Sequence, residues 1–273
     1  MTSVEDFGED GALQNDFIKM VLPLAGEEDG FDAFPRPLPP ELRETGDLPT
    51  GHLAFVGDYG EFAGYIMLLA GKPASGKTTI SRMLIEAAAR GEFQGVTVTH
   101  ISAGDRLRDI GQGNTQSLYA DEVASYTVKL KHAQPLPHSL VAQVIQEAVL
   151  ESEETLVLLD GYPRFDEQLN DYQMLARHTG RKTIGLVEFI ASDELVTERL
   201  LERGARTGEQ NPNEALIKAR LEEYHTSVAR TIETIRRASI IEYRAIPVSG
   251  EVKEAAKDFS EFVRLKLAYD TII

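Results

Sequence analysis

Tyr65-Ile66-Met67-Leu68-Leu69-Ala70 runs straight into Gly71-Lys72-Pro73-Ala74-Ser75-Gly76-Lys77-Thr78. The first piece is a short apolar run closed by a glycine, the pattern of a buried strand. Beyond the loop, Ile80, Met83, Leu84, Ala87 and Ala88 repeat at helical spacing, and Gly91 suits the position just past a helix end. The residues between match G-x-x-x-x-G-K-[ST] in full. Gly71 and Gly76 permit backbone angles and close approach that a side chain forbids. Successive backbone N–H groups can then wrap an anion, helped by the N-terminus of the following helix. Lys77 has the reach for terminal phosphates, and the Thr78 hydroxyl can ligate Mg²⁺. A Gly/Ser-rich turn gives the same letters by chance. The flanking strand and amphipathic helix argue instead for a nucleotide-binding loop.

The alternation continues downstream. Val96 to Ile101 is β-branched and strand-like, and His138 to Leu150 reads as a helix with Val141, Val144, Ile145 and Ala148 on one face. Thr155-Leu156-Val157-Leu158-Leu159 is apolar on both faces, as a central parallel strand must be. Phe165 to His178 reads as helix ended near Gly180, and Ile184 to Ile190 as strand. Ser192 can cap a helix running to Arg203. A long helix starts near Asn213, with Ile217, Leu221, Tyr224 and Val228 on its buried side. Ile246 to Val248 suits an edge strand, since Pro247 lacks an N–H, and a last helix covers Val252 to Ala268. This order predicts an α/β, three-layer P-loop fold: a parallel β-sheet of about five strands with helices on both faces. Asp160 follows the central strand at the carboxyl edge, where such sheets bind ligands. It can hold a metal, directly or through water, or simply cap a helix.

Residues 1–64 read differently. They hold 14 acids and 3 bases, against 30 and 25 in residues 65–273. Pro35, Pro37, Pro39, Pro40 and Pro49 crowd the same stretch. Pro-dense acidic sequence forms regular elements poorly. A mobile extension with docked pieces and an ordered one both remain open; Phe17 to Leu22 and His52 to Val56 are apolar pieces able to dock on the main domain. The division expected is therefore 1–64, an acidic Pro/Gly-rich extension, and 65–273, the P-loop domain. A formal charge of -16 argues against nucleic-acid and anionic-membrane partners, which demand a basic surface. A small phosphorylated ligand needs only a local cluster of cations. The lack of cysteine excludes disulfides, thiol nucleophiles and Cys-ligated zinc. No apolar run approaches the roughly 18 residues of a membrane span, and the acidic MTSVEDFGED start is unlike a secretory signal. The expectation is a soluble cytoplasmic protein.

Two further segments narrow the reading. His100-Ile101-Ser102-Ala103-Gly104-Asp105-Arg106-Leu107-Arg108 lies between the loop and Asp160-Gly161-Tyr162-Pro163-Arg164, and Gln168 follows four residues after that arginine. With the loop, these resemble the adenylate kinase family of nucleoside monophosphate kinases, which shows G-x-P-x-S-G-K, S-[TA]-G-D-x-L-R and D-G-[FY]-P-R in this order. The resemblance runs from about Tyr65 to the C-terminus. It implies ATP contacts at Gly71, Pro73, Ala74, Ser75, Gly76, Lys77, Thr78 and Thr79, with Arg199 packed on the donor base. It implies Mg²⁺ near Thr78 and Asp160. An acceptor-binding segment of about residues 102–137 would use Ser102, Ala103, Arg108 and Leu136, the last within Gln134-Pro135-Leu136-Pro137. Gly161, Arg164 and Gln168 would complete that site. Arg164 would bridge the acceptor phosphate and the transferred one. Arg203 and Arg220 would meet phosphate beside Lys77. Only residues 204–213 join the helices that carry them, as in the family's short-lid forms. A monomer is expected.

Two departures stand out. Short-lid members usually carry S-G-R-x-D-D, whereas this chain has Thr207-Gly208-Glu209-Gln210-Asn211-Pro212. Glu209 occupies the arginine position, and losing one such transition-state contact costs about 2.7–4 kcal/mol of barrier. Arg206 can take its place if the loop folds differently. Ala103 stands where many adenylate kinases carry Thr and where UMP/CMP-type members carry Ala, while Gln168 suits adenine. The resemblance thus implies Mg²⁺-dependent, reversible phosphoryl transfer from ATP to a nucleoside monophosphate, with AMP favoured. UMP/CMP-type acceptors are the alternative, as is a weakly active nucleotide sensor that uses the extension as an interaction module.

Overall fold

The computed structural model describes residues 63–126, 136–207, 214–238 and 241–270. Nearly all of the expected extension therefore lies outside the described residues, as do Gln134, Pro135, Glu209 and the Arg206 side chain.

The elements follow the expected alternation. β1 (Gly64–Gly71) leads to α1 (Lys77–Ala89), β2 (Val98–Ser102), α2 (Ala103–Gly111), α3 (Ala120–Ser125) and α4 (His138–Leu150). Then come β3 (Leu156–Asp160), a 3₁₀ turn (Asp166–Gln168), α5 (Leu169–His178), β4 (Arg181–Ile190) and α6 (Asp193–Thr207). α7 (Glu214–Glu223), a π turn (Tyr224–Val228), α8 (Ala229–Ala238), β5 (Tyr243–Pro247) and α9 (Val252–Asp270) complete the order. The five strands lie in the order β2-β3-β1-β4-β5, and every neighbouring pair is parallel.

A parallel sheet survives only when both faces are covered, and β1 and β3 show how the sequence arranges this. Ile66, Leu68, Val157 and Leu159 pack on one side with α2, α4, α5 and α8. Met67, Leu69, Leu156 and Leu158 pack on the other with α1, α6 and α9. Successive side chains point to opposite faces, so an uninterrupted apolar run fills two cores at once. β5 is an edge strand, which accommodates Pro247.

Several expected elements differ in detail; α6, expected to end at Arg203, runs on to Thr207 and takes residues 204–207 of the expected lid into the helix. The helix expected from Phe165 begins as the 3₁₀ turn, because Asp166 is used as a side-chain acceptor: Thr231 donates to it at 3.0 Å and Arg230 at 2.7 Å. The single helix expected from Asn213 is divided by the π turn, which carries buried Tyr224 and Val228. Ser192 caps α6 as expected, its hydroxyl accepting from the Leu195 N–H at 3.2 Å.

Tyr162 is one of the largest fully buried side chains, and its hydroxyl has no hydrogen-bond partner. Burial pushes this phenol well above its ordinary range, with Asp171 and Tyr172 adding to the effect. Because the folded pKa lies above the unfolded value of about 10, ionisation favours the unfolded chain and stability falls as pH climbs beyond 10. At pH 7 the phenol is neutral, and Tyr162→Phe, which removes an unpartnered buried hydroxyl, should raise stability by about 1 kcal/mol. It should also lessen the alkaline loss above pH 10 by about 1.4 kcal/mol per pH unit. Urea unfolding at both pH values checks this; a variant less stable at neutral pH would show that the hydroxyl is satisfied.

Candidate functional site

β1, β2 and β3 end side by side. The register pairs Asp160 with Ser102 on one flank and with Leu69 on the other. Gly71, Ser102 and Asp160 therefore share the carboxyl edge of the sheet, the edge where α/β folds bind ligands.

The loop from Gly71 to Thr78 rises from this edge into α1. Gly71 has φ 137°, and a Cβ there would stand 2.6 Å from the Phe189 carbonyl oxygen, so only glycine fits. Gly76, at φ 105°, precedes the first turn of α1. Ala74 also takes a left-handed conformation, φ 58°. The Ser75 N–H donates to the Lys72 carbonyl at 3.1 Å. The Ser75 hydroxyl is fully buried and has no partner among the described residues, so it is available to a polar group seated in the loop. Pro73 and Thr79 are partly buried, and Thr78 is exposed on the first turn of α1.

Lys77 folds back over the loop. Its Nζ donates to the carbonyls of Gly71 at 2.8 Å and Lys72 at 3.0 Å, and lies 3.9 Å from Asp160 Oδ1. Burial holds the ammonium below its ordinary pKa, against the pull of Asp160. Burial works to raise the pKa of Asp160, but Lys77, His100 and Arg164 outweigh it and hold the carboxyl below its usual range. The carboxylate is therefore charged at neutral pH. Asp160 is not a helix cap: the chain runs on through Gly161 (φ 77°) and Arg164 before the 3₁₀ turn, whose own cap is Phe165.

Arg164 is anchored by its backbone. Its N–H donates to Gln168 Oε1 at 2.7 Å, and its carbonyl accepts from the Thr231 hydroxyl at 3.3 Å. Its guanidinium reaches Glu223 Oε1 at 3.4 Å and acts electrostatically on Lys77 and Asp160. Gln168 is buried, so its carboxamide oxygen serves the loop itself.

The remaining expected residues spread outward. Arg199 Nη1 donates to the Ala74 carbonyl at 3.2 Å and Nη2 to that of Gly250 at 2.7 Å, which ties α6 to the loop and to the turn before α9. Arg203 lies one turn further along α6, exposed, and Arg220 is partly buried in the last turn of α7. Ser102 caps α2 by accepting from the Asp105 N–H at 3.3 Å. Arg108, on the same helix, pairs with Asp105. Ala103 and Leu136 are buried. Lys77, Asp160 and Arg164 thus come together, with Arg199 braced on the loop, while Arg108 is turned to its own helix.

Three contributors escaped the sequence reading. His100 Nε2 is buried and 3.5 Å from Asp160 Oδ2; its place two residues before Ser102, on the same strand face, was the available signal. Glu223 holds Arg164 across a long sequence separation that leaves no local pattern. Lys72 fills a position the loop pattern leaves free, yet its ammonium reaches the Ala191 carbonyl at 2.8 Å and Asp193 at 2.5 Å.

Among the described residues no three His, Asp or Glu side chains gather as a metal cage. The donors available are the Thr78 hydroxyl and the Asp160 carboxylate. Both are hard oxygens, and so small a set suits Mg²⁺, which keeps waters and substrate phosphates as its other ligands.

The family model described as adenylate kinase matches residues 69–240. The chain belongs to the adenylate kinase family. It is 29% identical over 192 residues to adenylate kinase isoenzyme 1 of Sus scrofa, covering 69% of this chain and 89% of that protein. It is likewise 29% identical over 190 residues to adenylate kinase isoenzyme 1 of Homo sapiens, covering 68% and 88%. Adenylate kinase of Corynebacterium glutamicum (strain R) is also 29% identical over 190 residues, covering 69% and 93%. Membership supports phosphoryl transfer of the nucleoside monophosphate kinase type. No described helix is long and apolar enough to cross a membrane.

Proposed function

We propose that the chain catalyses reversible transfer of the terminal phosphoryl group of ATP to a nucleoside monophosphate, AMP foremost. The observation that carries this is the meeting of partly buried Lys77, charged Asp160 and Arg164 at one sheet edge, beneath a loop whose Ser75 hydroxyl lacks a partner. The loop's backbone N–H groups and Lys77 hold the donor phosphates. Arg108 and Arg164 grip the acceptor phosphate, and Arg199, Arg203 and Arg220 border the donor side. Mg²⁺, when bound near Thr78 and Asp160, shields charge between the phosphates. No general base is required, because a phosphate oxygen is already nucleophilic. Alignment and neutralisation of two anions do the work. Closure of the segments around 102–137 and 204–213 excludes water, which would otherwise waste ATP.

A coupled assay across AMP, CMP, UMP, dAMP and GMP tests this reading. AMP should give the highest kcat/KM, with ADP forming far faster than ATP is hydrolysed. A preference for CMP or UMP would make it the UMP/CMP type. Nucleotide binding without transfer would make it a sensor.

The lid provides a second test. If Arg206 has taken over the role of the absent lid arginine, Arg206→Ala should cut kcat about 10-fold or more and Glu209→Arg should help little. If the contact is missing altogether, Arg206→Ala is nearly silent and Glu209→Arg raises kcat by placing a cation beside the phosphates. We favour the first account, since Arg206 follows Arg203 by three residues within the same helix, α6. Silence in both variants would remove this loop from the reaction.

A further inference from the structure

Lys72, Asp193 and His225 meet beside the phosphate loop, and none of the three has a nucleotide contact in the proposed reaction. The loop pattern leaves position 72 open to any residue. Yet the Lys72 side chain is only 14% exposed, and its ammonium stands 2.5 Å from Asp193 Oδ1 and donates to the Ala191 carbonyl at 2.8 Å. Asp193 is the first residue of α6 and also faces His225, whose Nε2 lies 3.2 and 3.0 Å from its two carboxylate oxygens. Hydrogen bonding from Lys72, against the effect of burial, and then from His225 holds this carboxyl below its usual range. It is therefore charged at neutral pH.

His225 belongs to the π turn that follows α7, and wide turns of this kind are frequent at functional positions. Three consecutive residues here reach three parts of the site. Glu223 accepts from the Arg164 guanidinium at 3.4 Å. Tyr224 donates to Glu188, which stands opposite Ala70 in the sheet, just ahead of the loop, and the Tyr224 ring centroid lies 5.9 Å from the Lys72 ammonium. His225 takes Asp193. The π turn is thus tied to the phosphate loop, and the residue that enters it holds Arg164. The Arg164–Glu223 pair is partly exposed, and such a pair is weak by itself. It orients Arg164 only as well as the backbone carrying Glu223 is fixed.

We infer that Asp193 is a positioning residue: it fixes the π turn against the phosphate loop through Lys72 and His225, and thereby sets where Glu223 holds the Arg164 guanidinium. The kinetic part of its test rests on the proposed phosphoryl transfer; the exchange part does not.

Asp193→Asn keeps the size of the side chain and removes its charge, and at 45% exposure it leaves the core untouched. A misplacement of about 1 Å can cost about 100-fold in rate, so a loosened Arg164 should lower kcat about 10-fold while KM for ATP stays within about 2-fold. Asp193→Glu returns the charge to the start of α6 and should bring kcat back to within about 3-fold of the wild type. In an Arg164→Ala background, Asp193→Asn should change kcat by less than about 2-fold, because residues that act through one another are not additive. Additive losses, or an unchanged kcat in the single variant, would overturn the inference.

Hydrogen exchange of the nucleotide-free protein reads the same link without activity. Amides of residues 161–168 and 222–229 should exchange severalfold faster in Asp193→Asn, while those of α9 keep their rates. Unchanged exchange in the first two segments, or acceleration along the whole chain, would overturn the positioning role. If the wild type forms no ADP from ATP and AMP while this exchange pattern holds, the proposed reaction fails and the link from Asp193 to Arg164 stands. If ADP forms and the pattern is absent, the link fails and the reaction stands.

Discussion

Lys77→Ala lowers the rate of phosphoryl transfer by at least about 100-fold, the scale of losing one preorganised electrostatic donor. The Lys77 ammonium donates to the carbonyls of Gly71 and Lys72 from inside the loop. Moving its ammonium from those carbonyls to a phosphate exchanges neutral acceptors for a charged one, and charge-assisted bonds are roughly twice as strong. Burial holds the pKa of Lys77 down, and an anion beside it opposes that penalty by favouring the ammonium. The substitution also removes the ammonium that stands 3.9 Å from Asp160 Oδ1. The carboxyl pKa should then rise, and the acid limb of the rate–pH profile with it. Steady-state kinetics from pH 5 to 9 measure both effects. An undiminished kcat would sink the assignment of this loop to phosphate.

The second large effect separates two arginines. Arg164→Ala should lower kcat about 100-fold and raise KM for the monophosphate, whereas Arg108→Ala should mainly raise that KM, by about 10-fold or more, with kcat nearly kept. The split follows from where the two stand. Arg164 acts electrostatically on both Lys77 and Asp160, the two groups placed at the centre of the proposed transfer. Arg108 sits on α2, paired with Asp105, and must leave that pair to meet a ligand. Exposed pairs of this kind are worth about 1 kcal/mol or less, so the move is inexpensive. Titration of the monophosphate at saturating ATP resolves the two parameters. Normal binding and turnover in both variants would remove these residues from the acceptor site.

What the sequence made legible follows from the range of each interaction. The strand–loop–helix unit around Gly71–Thr78 was readable because its determinants are local: an apolar run, two glycines and a helical stripe within 25 residues. β3 was readable because a strand covered on both faces is filled by an apolar run, here Leu156 to Leu159. The 3₁₀ turn was not, since it depends on Asp166 receiving Thr231 and Arg230 from α8, far along the chain. The π turn likewise follows from tertiary demands on Tyr224, whose hydroxyl donates to Glu188 on β4 while its ring lies beneath Lys72. Asp160 was correctly placed at the carboxyl edge, yet its neighbour His100 was passed over, because a strand histidine announces no partner until the register is known.

The strand order has a consequence for how the chain comes to be folded at all. β1 bonds only to β3 and β4, with Tyr65 opposite Leu156 and Lys182. During synthesis at about 5–20 residues per second, β1 therefore waits on the order of 5–20 s for its partners to emerge. Throughout that interval Ile66-Met67-Leu68-Leu69 is an unpaired apolar strand, the kind of segment that aggregates between nascent chains. Charge flanking such a strand suppresses that association. The 14 acids and 3 bases of residues 1–64 leave the ribosome ahead of that strand, so each growing chain repels its neighbours while its central strand is still alone.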